Sequence, residues 1–187
     1  MNAARTSKGL TLLELIITIS LFMILISIGV PSFFQTIEQQ RSDTTIANIR
    51  RTYQFAREYA ITNKRNVYFC GSDTLTECKR AWKKYTVVFI DTDGNQHPSP
   101  SEILHTTQLN LKKASMKTRG SSNKIHAVLT ASGTAKYTGS MIYCPASGDA
   151  DFANRVTWNR IGRIYTGIDK NGDGKVEDTN GRPIKCR

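Results

Sequence analysis

Residues 10–30 read LTLLELIITISLFMILISIGV, a run of 21 residues in which Glu14 is the only ionisable group. A helix rises about 1.5 Å per residue, so this length covers the hydrocarbon core of a bilayer, which is about 30 Å thick. A cleavable secretory signal has an apolar core of only about 7 to 15 residues followed by a small-residue cleavage site, and this run fits neither feature. It therefore predicts a transmembrane helix.

The short segment before this run sets the orientation. Residues 1–9 contain Arg5 and Lys8 and no acidic residue. Positively charged flanks are retained in the cytoplasm, so the remainder of the chain is expected to be exported.

Glu14 is the anomaly of the apolar run. An uncompensated carboxylate inside a membrane costs on the order of 2 to 3 kcal/mol, and such a group is functional by default. If the chain were cut after Gly9, the new amine of Leu10 would lie about one helical turn from Glu14, on the same chain or on a neighbour. We therefore expect an amino terminus to be the partner of this carboxylate.

The order of residues around the cut resembles a known leader. Gly9, an apolar residue, Thr11, two apolar residues, Glu14 and a long apolar run resemble the class III leader of type IV pilins and type II secretion pseudopilins. In that family a prepilin peptidase cuts after the glycine, the new N-terminus is methylated, and the glutamate pairs with a neighbouring subunit. The resemblance implies cleavage between Gly9 and Leu10, methylation of Leu10 and a filament-assembly role for Glu14.

The helical pattern continues beyond the membrane. Pro31 is expected to kink the helix without necessarily ending it. Apolar residues then recur at alternating spacings of three and four, which indicates one buried stripe on a packed helix. They are Ile46, Ile49, Tyr53, Ala56 and Ala60. The end of the helix is predicted near residues 62–64.

The rest of the chain is rich in β-formers and turn residues, which predicts short strands. The predicted strands are 66–70, 82–90, one beginning at 103, 124–129, 140–144, and a final hairpin of 155–158 with 163–166. The fold class is therefore α+β, a long N-terminal helix against an antiparallel sheet. The predicted organisation is a leader at 1–9, a transmembrane segment at 10–30, an amphipathic helix at 31–64 and an exported globular domain at 65–187.

Four cysteines in an exported chain indicate two disulfides. Three pairings are possible, and we favour Cys70 with Cys78, which closes a short polar loop, and Cys144 with Cys186, which ties down the tail. The chain has no Cys-x-x-Cys motif, and its three histidines show no metal-ligand spacing. We expect these histidines, His97, His105 and His126, to be surface or loop residues.

Features of the exported domain narrow the resemblance. The strand ending in Cys70, the Asp-x-Asp-Gly turn at 91–94, the strand ending in Cys144 and the late hairpin with Gly162 and Arg163 are similar to those of the GspH/FimT family of minor pilins and pseudopilins.

That resemblance implies a type IV pilin-like fold and a structural role. The function implied is that of a minor pilin, incorporated at or near a pilus tip to support pilus assembly, with DNA uptake as a further role. The alternatives are an H-type pseudopilin of a type II secretion system and a membrane-anchored DNA-binding module. Its partners would be other pilins or pseudopilins, the prepilin peptidase and the inner membrane of a bacterium. The globular domain would lie in the periplasm, and outside the cell once in a pilus.

Charge leaves the nature of a further partner open. The chain has 26 Lys and Arg against 15 Asp and Glu, a net charge of +11. This excess favours an anionic partner, nucleic acid or lipid headgroups, although a solvated basic surface is an equal alternative. Some minor pilins bind double-stranded DNA through a C-terminal Gly-Arg-x-Arg motif, which two stretches here match only in part. The candidate DNA contacts are the late cations Arg155, Arg160, Arg163, Arg182, Lys185 and Arg187.

One loop has the opening of a calcium site. Residues 169–174 follow the Asp-x-Asn-x-Asp-Gly pattern, in which oxygen ligands recur at alternate positions. Asn180 stands where the pattern ends in a bidentate Glu, so an acidic loop that needs no ion is the alternative. The candidate ligands are Asp169, Asn171, Asp173, Lys175 and Glu177.

The sequence contains no catalytic motif. It has no Gly-x-Ser-x-Gly, no phosphate-cradling loop and no His-Glu-x-x-His, and its cysteines are better explained as pairs. We expect a protein that is not an enzyme and that requires no cofactor, with calcium as the candidate ligand.

Overall fold

The structure, a computed structural model, describes residues 11–109, 111–178 and 180–186. The chain divides into two units, Met1–Ile37 and Glu38–Arg187. The predicted helix begins at Leu12 and ends at Asn63, within the range predicted for its end.

The remaining elements belong to the second unit. Nine strands and two short 3-10 helices follow α1 (Leu12–Asn63) in the described residues: β1 (Val67–Ser72), β2 (Ala81–Trp82), β3 (Tyr85–Phe89), β4 (Ile103–Gln108), β5 (Ser115–Gly120), a 3-10 turn (Ser121–Asn123), β6 (His126–Leu129), β7 (Gly139–Cys144), a second 3-10 turn (Ala150–Phe152), β8 (Asn154–Trp158) and β9 (Ile164–Thr166).

In the first unit, α1 exposes apolar side chains on every face. The large apolar side chains of residues 12–30 are 44–76% exposed. The hydroxyls of Thr18, Ser20 and Ser27 donate to backbone carbonyls of the preceding turn, each over 2.8 Å. Polar groups satisfied within the helix are compatible with a hydrocarbon environment. The length and composition of the segment thus suit a membrane span.

In the second unit, α1 buries the stripe that the sequence predicts. The five apolar residues spaced from Ile46 to Ala60 are all 2% exposed or less. Arg50, Arg51 and Glu58 are exposed. A helix with one apolar stripe and a charged opposite face packs on a core along that stripe. The predicted amphipathic helix is confirmed.

The strands form two antiparallel sheets. One has the order β4-β3-β1-β6 and the other the order β2-β5-β7-β8-β9. The prediction of a helix with antiparallel sheet is confirmed, and the division into two sheets is an additional finding.

The strand predicted at 82–90 is wrong in one respect, because it is broken between the two sheets. Trp82 pairs with Met116 in the five-stranded sheet, whereas Tyr85 pairs with Ser72 in the four-stranded one. The exposed residues Lys83 and Lys84 connect β2 in one sheet to β3 in the other. The backbone amide of Lys83 donates to the Asp73 carboxylate over 2.7 Å.

Two further sequence expectations need correction. Strand β5, with the polar sequence SMKTRG, was not predicted, yet it pairs with both β2 and β7. His126 is not a surface residue: it lies in β6 and is 6% exposed. Burial, together with the positive charge of Lys124, lowers the pKa of its imidazole.

Tyr53 connects the helix to both sheets. Its ring lies 5.7 Å from that of Phe69 in β1 and 6.0 Å from that of Trp158 in β8, measured between centroids. All three side chains are 1% exposed or less. Aromatic pairs at this separation add packing energy to the area that they bury. Burial also raises the pKa of the Tyr53 hydroxyl.

Gly162 allows the final hairpin to approach the helix. Its φ is +78°, and a Cβ at this position would lie 1.9 Å from the carbonyl oxygen of Gly133. That carbonyl accepts a hydrogen bond of 2.8 Å from Arg57 Nε on α1. The close approach explains physically why glycine stands at this point of the hairpin motif.

Replacing Gly162 with alanine should lower the free energy of unfolding of the domain. A left-handed φ costs a non-glycine residue about 1–2 kcal/mol, and the clash should add about 1–3 kcal/mol. Urea unfolding of residues 38–187 measures the change. Gly94→Ala is the matched control, because Gly94 also has a φ of +78° but has open space around it. Equal losses in the two variants would contradict the close-approach argument.

Candidate functional site

The predicted cleavage and methylation positions, Gly9 and Leu10, lie outside the described residues. Glu14 lies in the first turn of α1 and is exposed. Its backbone amide donates to Thr11 Oγ1 over 3.2 Å, and the amide of Leu15 donates to the Thr11 carbonyl over 3.1 Å. Thr11 therefore caps the helix.

The Thr11-x-x-Glu14 spacing also matches a capping box, a purely structural role for the glutamate. A complete box needs a return bond from the Thr11 amide to the Glu14 carboxylate, and the described residues contain no such bond. No ion pair within that part of the chain involves Glu14 either. Among the described residues the carboxylate thus has no hydrogen-bond or ion-pair partner.

Both favoured disulfides are present. Cys70 is joined to Cys78 and Cys144 to Cys186. The second bridge brings the C-terminal tail onto the outer face of the five-stranded sheet, where Ile184 packs with Ile142 and Cys144.

The calcium-like loop brings three of its candidate residues together. Carboxylate oxygens of Asp169, Asp173 and Glu177 all lie within 4.8 Å of one another. Glu177 is 2% exposed and accepts hydrogen bonds from the amides of Lys170 (2.9 Å) and Asn171 (3.3 Å). This buried glutamate approaches the loop centre from the ninth position, not from the twelfth.

Backbone donors also surround Asp169. It accepts from the amides of Gly172 (2.7 Å) and Gly174 (2.8 Å), and these bonds lower the pKa of its carboxyl group. The loop therefore closes on its own hydrogen bonds.

The other two candidate ligands contribute differently. The Asn171 amide group donates to Asp173 over 3.0 Å, and the Lys175 ammonium pairs with Asp151 over 2.8 Å. The side-chain oxygen of Asn171 accepts from the backbone amide of Asp173 over 3.0 Å, and Lys175 has no side-chain oxygen. Calcium binding stays a prediction that depends on Asp169, Asp173 and Glu177.

If the loop binds calcium, the ion should raise the melting temperature of the domain. At a concentration of about one hundred times Kd, a ligand stabilises the native state by about 2.7 kcal/mol. For a domain of this size the corresponding increase is about 5–10 °C. Scanning calorimetry with calcium and with a chelator measures it. Asp173→Asn should abolish the increase, whereas Asp93→Asn, in a different acidic loop, should preserve it; a melting temperature independent of calcium would refute the prediction.

A second acidic group has a structural explanation. Asp91, Asp93 and Glu102 also have carboxylate oxygens within 4.8 Å of one another. Glu102 accepts hydrogen bonds from the amide and hydroxyl of Thr92 and from the hydroxyl of Ser99, and these bonds lower its pKa to about 2. The glutamate closes the loop between β3 and β4, which gives this acidic group a structural role.

The late cations do not form one patch. Arg160 lies within the turn of the β8–β9 hairpin and Arg163 directly follows it. This turn lies at the Gly139 end of β7. Arg182 and Lys185 lie in the tail, which is bound to the other end of β7 at Cys144. At about 3.3 Å per residue, the strand separates these ends by roughly 17 Å. Arg187 lies outside the described residues.

Arg155 is the least accessible of the late cations that the structure describes. It is only partly exposed, its Nε is buried without a hydrogen-bond partner in the described residues, and burial lowers its pKa.

The register identifies a cation that the sequence reasoning missed. Arg119 in β5, Ser140 in β7, Thr157 in β8 and Tyr165 in β9 are successive partners across the sheet. Directly paired residues share a face, so a guanidinium and a phenol lie on the same outer face. Arg119 and Tyr165 are exposed. Arg119 was missed because strand β5, which places it on this face, was not predicted from the sequence.

An apolar helix with one carboxylate, continued by an α+β domain of this topology, defines a membrane-anchored pilin-like subunit. Residues 45–162 match the family model described as Type II transport protein GspH, and residues 4–30 match the Prokaryotic N-terminal methylation motif. The chain belongs to the GspH family, whose minor pilins and pseudopilins are structural subunits of filaments.

Solved structures share the fold. The type IV minor pilin FimU of Pseudomonas aeruginosa aligns with a TM-score of 0.55 at 18% identity, over 83% of this chain and 99% of FimU. A second crystal form of FimU gives 0.53 at 16% identity, over 78% and 99%. The minor pseudopilin EpsH from the Type 2 Secretion System of Vibrio cholerae gives 0.50 at 11% identity, over 67% and 95%. No curated protein sequence matches the chain.

Proposed function

We propose that this protein is a minor pilin, incorporated at or near the tip of a type IV pilus, where it supports filament assembly. Before assembly it is held in the bacterial inner membrane with its globular domain in the periplasm. The observation that carries the proposal is the outward-facing apolar surface of residues 12–30, with Glu14 as its only charge.

That surface requires an apolar environment in every state of the protein. The large side chains of this segment are 44–76% exposed. Exposing them to water costs free energy in proportion to their apolar area. A bilayer covers them before assembly, and the equivalent helices of neighbouring subunits cover them in a filament. The same segment therefore serves first as an anchor and then as the filament core.

Glu14 gives this transfer its specificity. Moving an unpaired carboxylate into an apolar filament core is unfavourable, whereas pairing it with a cation compensates the charge. The proposed partner is the N-terminal amine of a neighbouring subunit, created by prepilin peptidase cleavage after Gly9 and methylated on Leu10. The match of residues 4–30 to the methylation motif supports this processing.

The proposal of a pilus over a secretion filament is supported by the alignments with the two solved structures. The alignment covers 99% of FimU with a TM-score of 0.55, compared with 95% of EpsH and 0.50. The alternative, an H-type pseudopilin of a type II secretion system, uses the same architecture and predicts a different phenotype.

Replacing Glu14 with alanine in the source bacterium should leave the protein in the inner membrane but exclude it from filaments. The apolar run remains long enough to span a bilayer, while the charge that selects the neighbour is lost. We expect at least a tenfold decrease of the protein in sheared filaments and fewer surface pili. Immunoblots of membrane and sheared fractions, together with pilus counts, measure these effects.

Glu58→Ala is the matched control, because Glu58 is an exposed glutamate on the same helix within the globular unit. This variant should be incorporated normally. Normal incorporation of Glu14→Ala would contradict the pairing argument. Loss of exoprotein secretion with unchanged piliation would instead assign the subunit to a type II secretion system.

Contact with double-stranded DNA is a second candidate function. It is supported by the exposed cations Arg160 and Arg163 at the hairpin turn and by Arg119 and Tyr165 on the outer face of the sheet. Guanidinium groups suit bidentate phosphate contact, and an aromatic ring offers a stacking surface. The tail cations Arg182 and Lys185 form a separate group.

If the domain binds DNA, Arg163→Ala should weaken binding and reduce the slope of log affinity against log salt by about 1. Arg182→Ala tests the tail in the same way. Fluorescence anisotropy with a DNA duplex and residues 38–187 measures both effects. Lys170→Ala, an equal charge loss at an exposed position outside both groups of cations, is the control. No affinity at low salt, or affinity unaffected by the two arginine variants, would remove DNA from the function.

A further inference from the structure

A turn between β4 and β5 presents two lysines to solvent. The amide of Ala114 donates to the carbonyl of Leu111 over 2.7 Å, so Lys112 and Lys113 occupy the corners of this turn. Leu111 and Ala114 are 4% and 3% exposed, whereas both lysines are exposed. The buried residues hold the turn in place and the charges project from it.

Two more lysines adjoin this turn. Lys83 and Lys84 are exposed at the break between β2 and β3, and the amide of Leu109 donates to the Lys84 carbonyl over 2.7 Å. Lys83, Lys84 and Lys112 line one open depression of about 670 Å³. Residues far apart in the sequence thus contribute to a single surface.

Arg41 of helix α1 extends this surface. It lines an adjacent depression with Lys112 and a further one with Lys112 and Lys113. We call Arg41, Lys83, Lys84, Lys112 and Lys113 the lysine patch.

The charge of the lysine patch is only partly compensated, because the nearby Asp73 carboxylate accepts from the backbone amide of Lys83 over 2.7 Å. Among the described residues that line the three depressions, Glu38 is the only acid, and it pairs with Arg41. No ion pair in the described part of the chain involves the four lysines. Four like charges held together at this surface repel one another unless an anion joins them.

Lys112 adopts an unfavourable backbone conformation. Its φ is +49°, a left-handed value that glycine and asparagine adopt far more readily than lysine. A strained lysine at an exposed corner does not stabilise the turn. Its charge is therefore the property that explains a lysine at this position.

We infer that the lysine patch binds the phosphate groups of anionic phospholipids. Arg41 follows Val30, the last residue of the apolar run, by only eleven residues in the sequence. A bilayer that holds the apolar run therefore offers headgroups to the tethered domain at high effective concentration. Lys and Arg clusters near a membrane bind anionic lipid electrostatically. The inference requires the membrane anchor but not the proposed pairing of Glu14.

For filament assembly, the consequence is that the globular domain can be bound to the membrane surface through the charges of the lysine patch. A domain bound through the lysine patch must release headgroups before the subunit leaves the membrane. Anionic lipid would thus retain the subunit, and a neighbouring subunit with an acidic surface would compete for the same charges.

The experiment measures lysine accessibility in the full chain reconstituted in nanodiscs of phosphatidylcholine alone or with about 30% phosphatidylglycerol. Amines are acylated briefly, and each lysine is quantified by mass spectrometry. In anionic nanodiscs at about 50 mM salt, acylation of Lys83, Lys84, Lys112 and Lys113 should be at least threefold slower, with recovery at about 500 mM salt. The exposed Lys136 and Lys170 are internal controls whose acylation should not change.

A variant separates charge from folding. Lys112→Gly relieves the strained φ, so its melting temperature should equal or exceed that of the wild type, while protection of Lys83, Lys84 and Lys113 should fall at least twofold. Lys136→Gln, a charge loss outside the lysine patch, should leave protection unchanged. Equal acylation in both lipids, or equal slowing of all exposed lysines, would overturn the inference. Protection by a DNA duplex but not by anionic lipid would also overturn it and assign the patch to nucleic acid.

Discussion

Helix α1 changes its relation to its surroundings along its length, and the rest of the structure depends on that change. Its first part has apolar side chains on all faces and requires lipid or protein around it. From Ile46 onward only one stripe is apolar, and that stripe forms the core against two sheets. A helix of 52 residues thereby joins a segment suited to hydrocarbon to a domain suited to water. Membership in the GspH family follows from the match of residues 45–162, and residues 4–30 separately match the Prokaryotic N-terminal methylation motif.

The sequence predicted the elements whose local pattern agrees with their final environment. The stripe from Ile46 to Ala60 has helical spacing and is buried as a helix, and most strands contain several β-branched or aromatic residues. Strand β5 was missed because its stability comes from pairing with β2 and β7, which no local pattern reveals. The break after Trp82 was missed because both sides of it have β-forming sequences, and only tertiary pairing assigns them to different sheets.

The candidate sites divide in the same way. Those formed by residues close in sequence, such as the acidic loop at 169–177, were predictable from the sequence alone. Sites formed by distant segments were not: Glu102 closes the turn at 91–94 from across a loop, and the lysine patch combines Arg41 with lysines from two other segments. The late cations show the opposite error. Their proximity in the sequence predicted one basic surface, whereas the length of β7 separates them into two groups.

The bridge between Cys144 and Cys186 has a mechanical consequence. When a filament is pulled, load reaches each subunit through its neighbours, and an unfolding domain would normally lengthen by the full extent of its chain. This covalent link closes a segment of 42 residues that contains β8 and β9. At about 3.4 Å per residue, roughly 140 Å of chain is thereby withheld from extension. A partly unravelled subunit would therefore lengthen less by this amount, which limits how far a filament can stretch at this point.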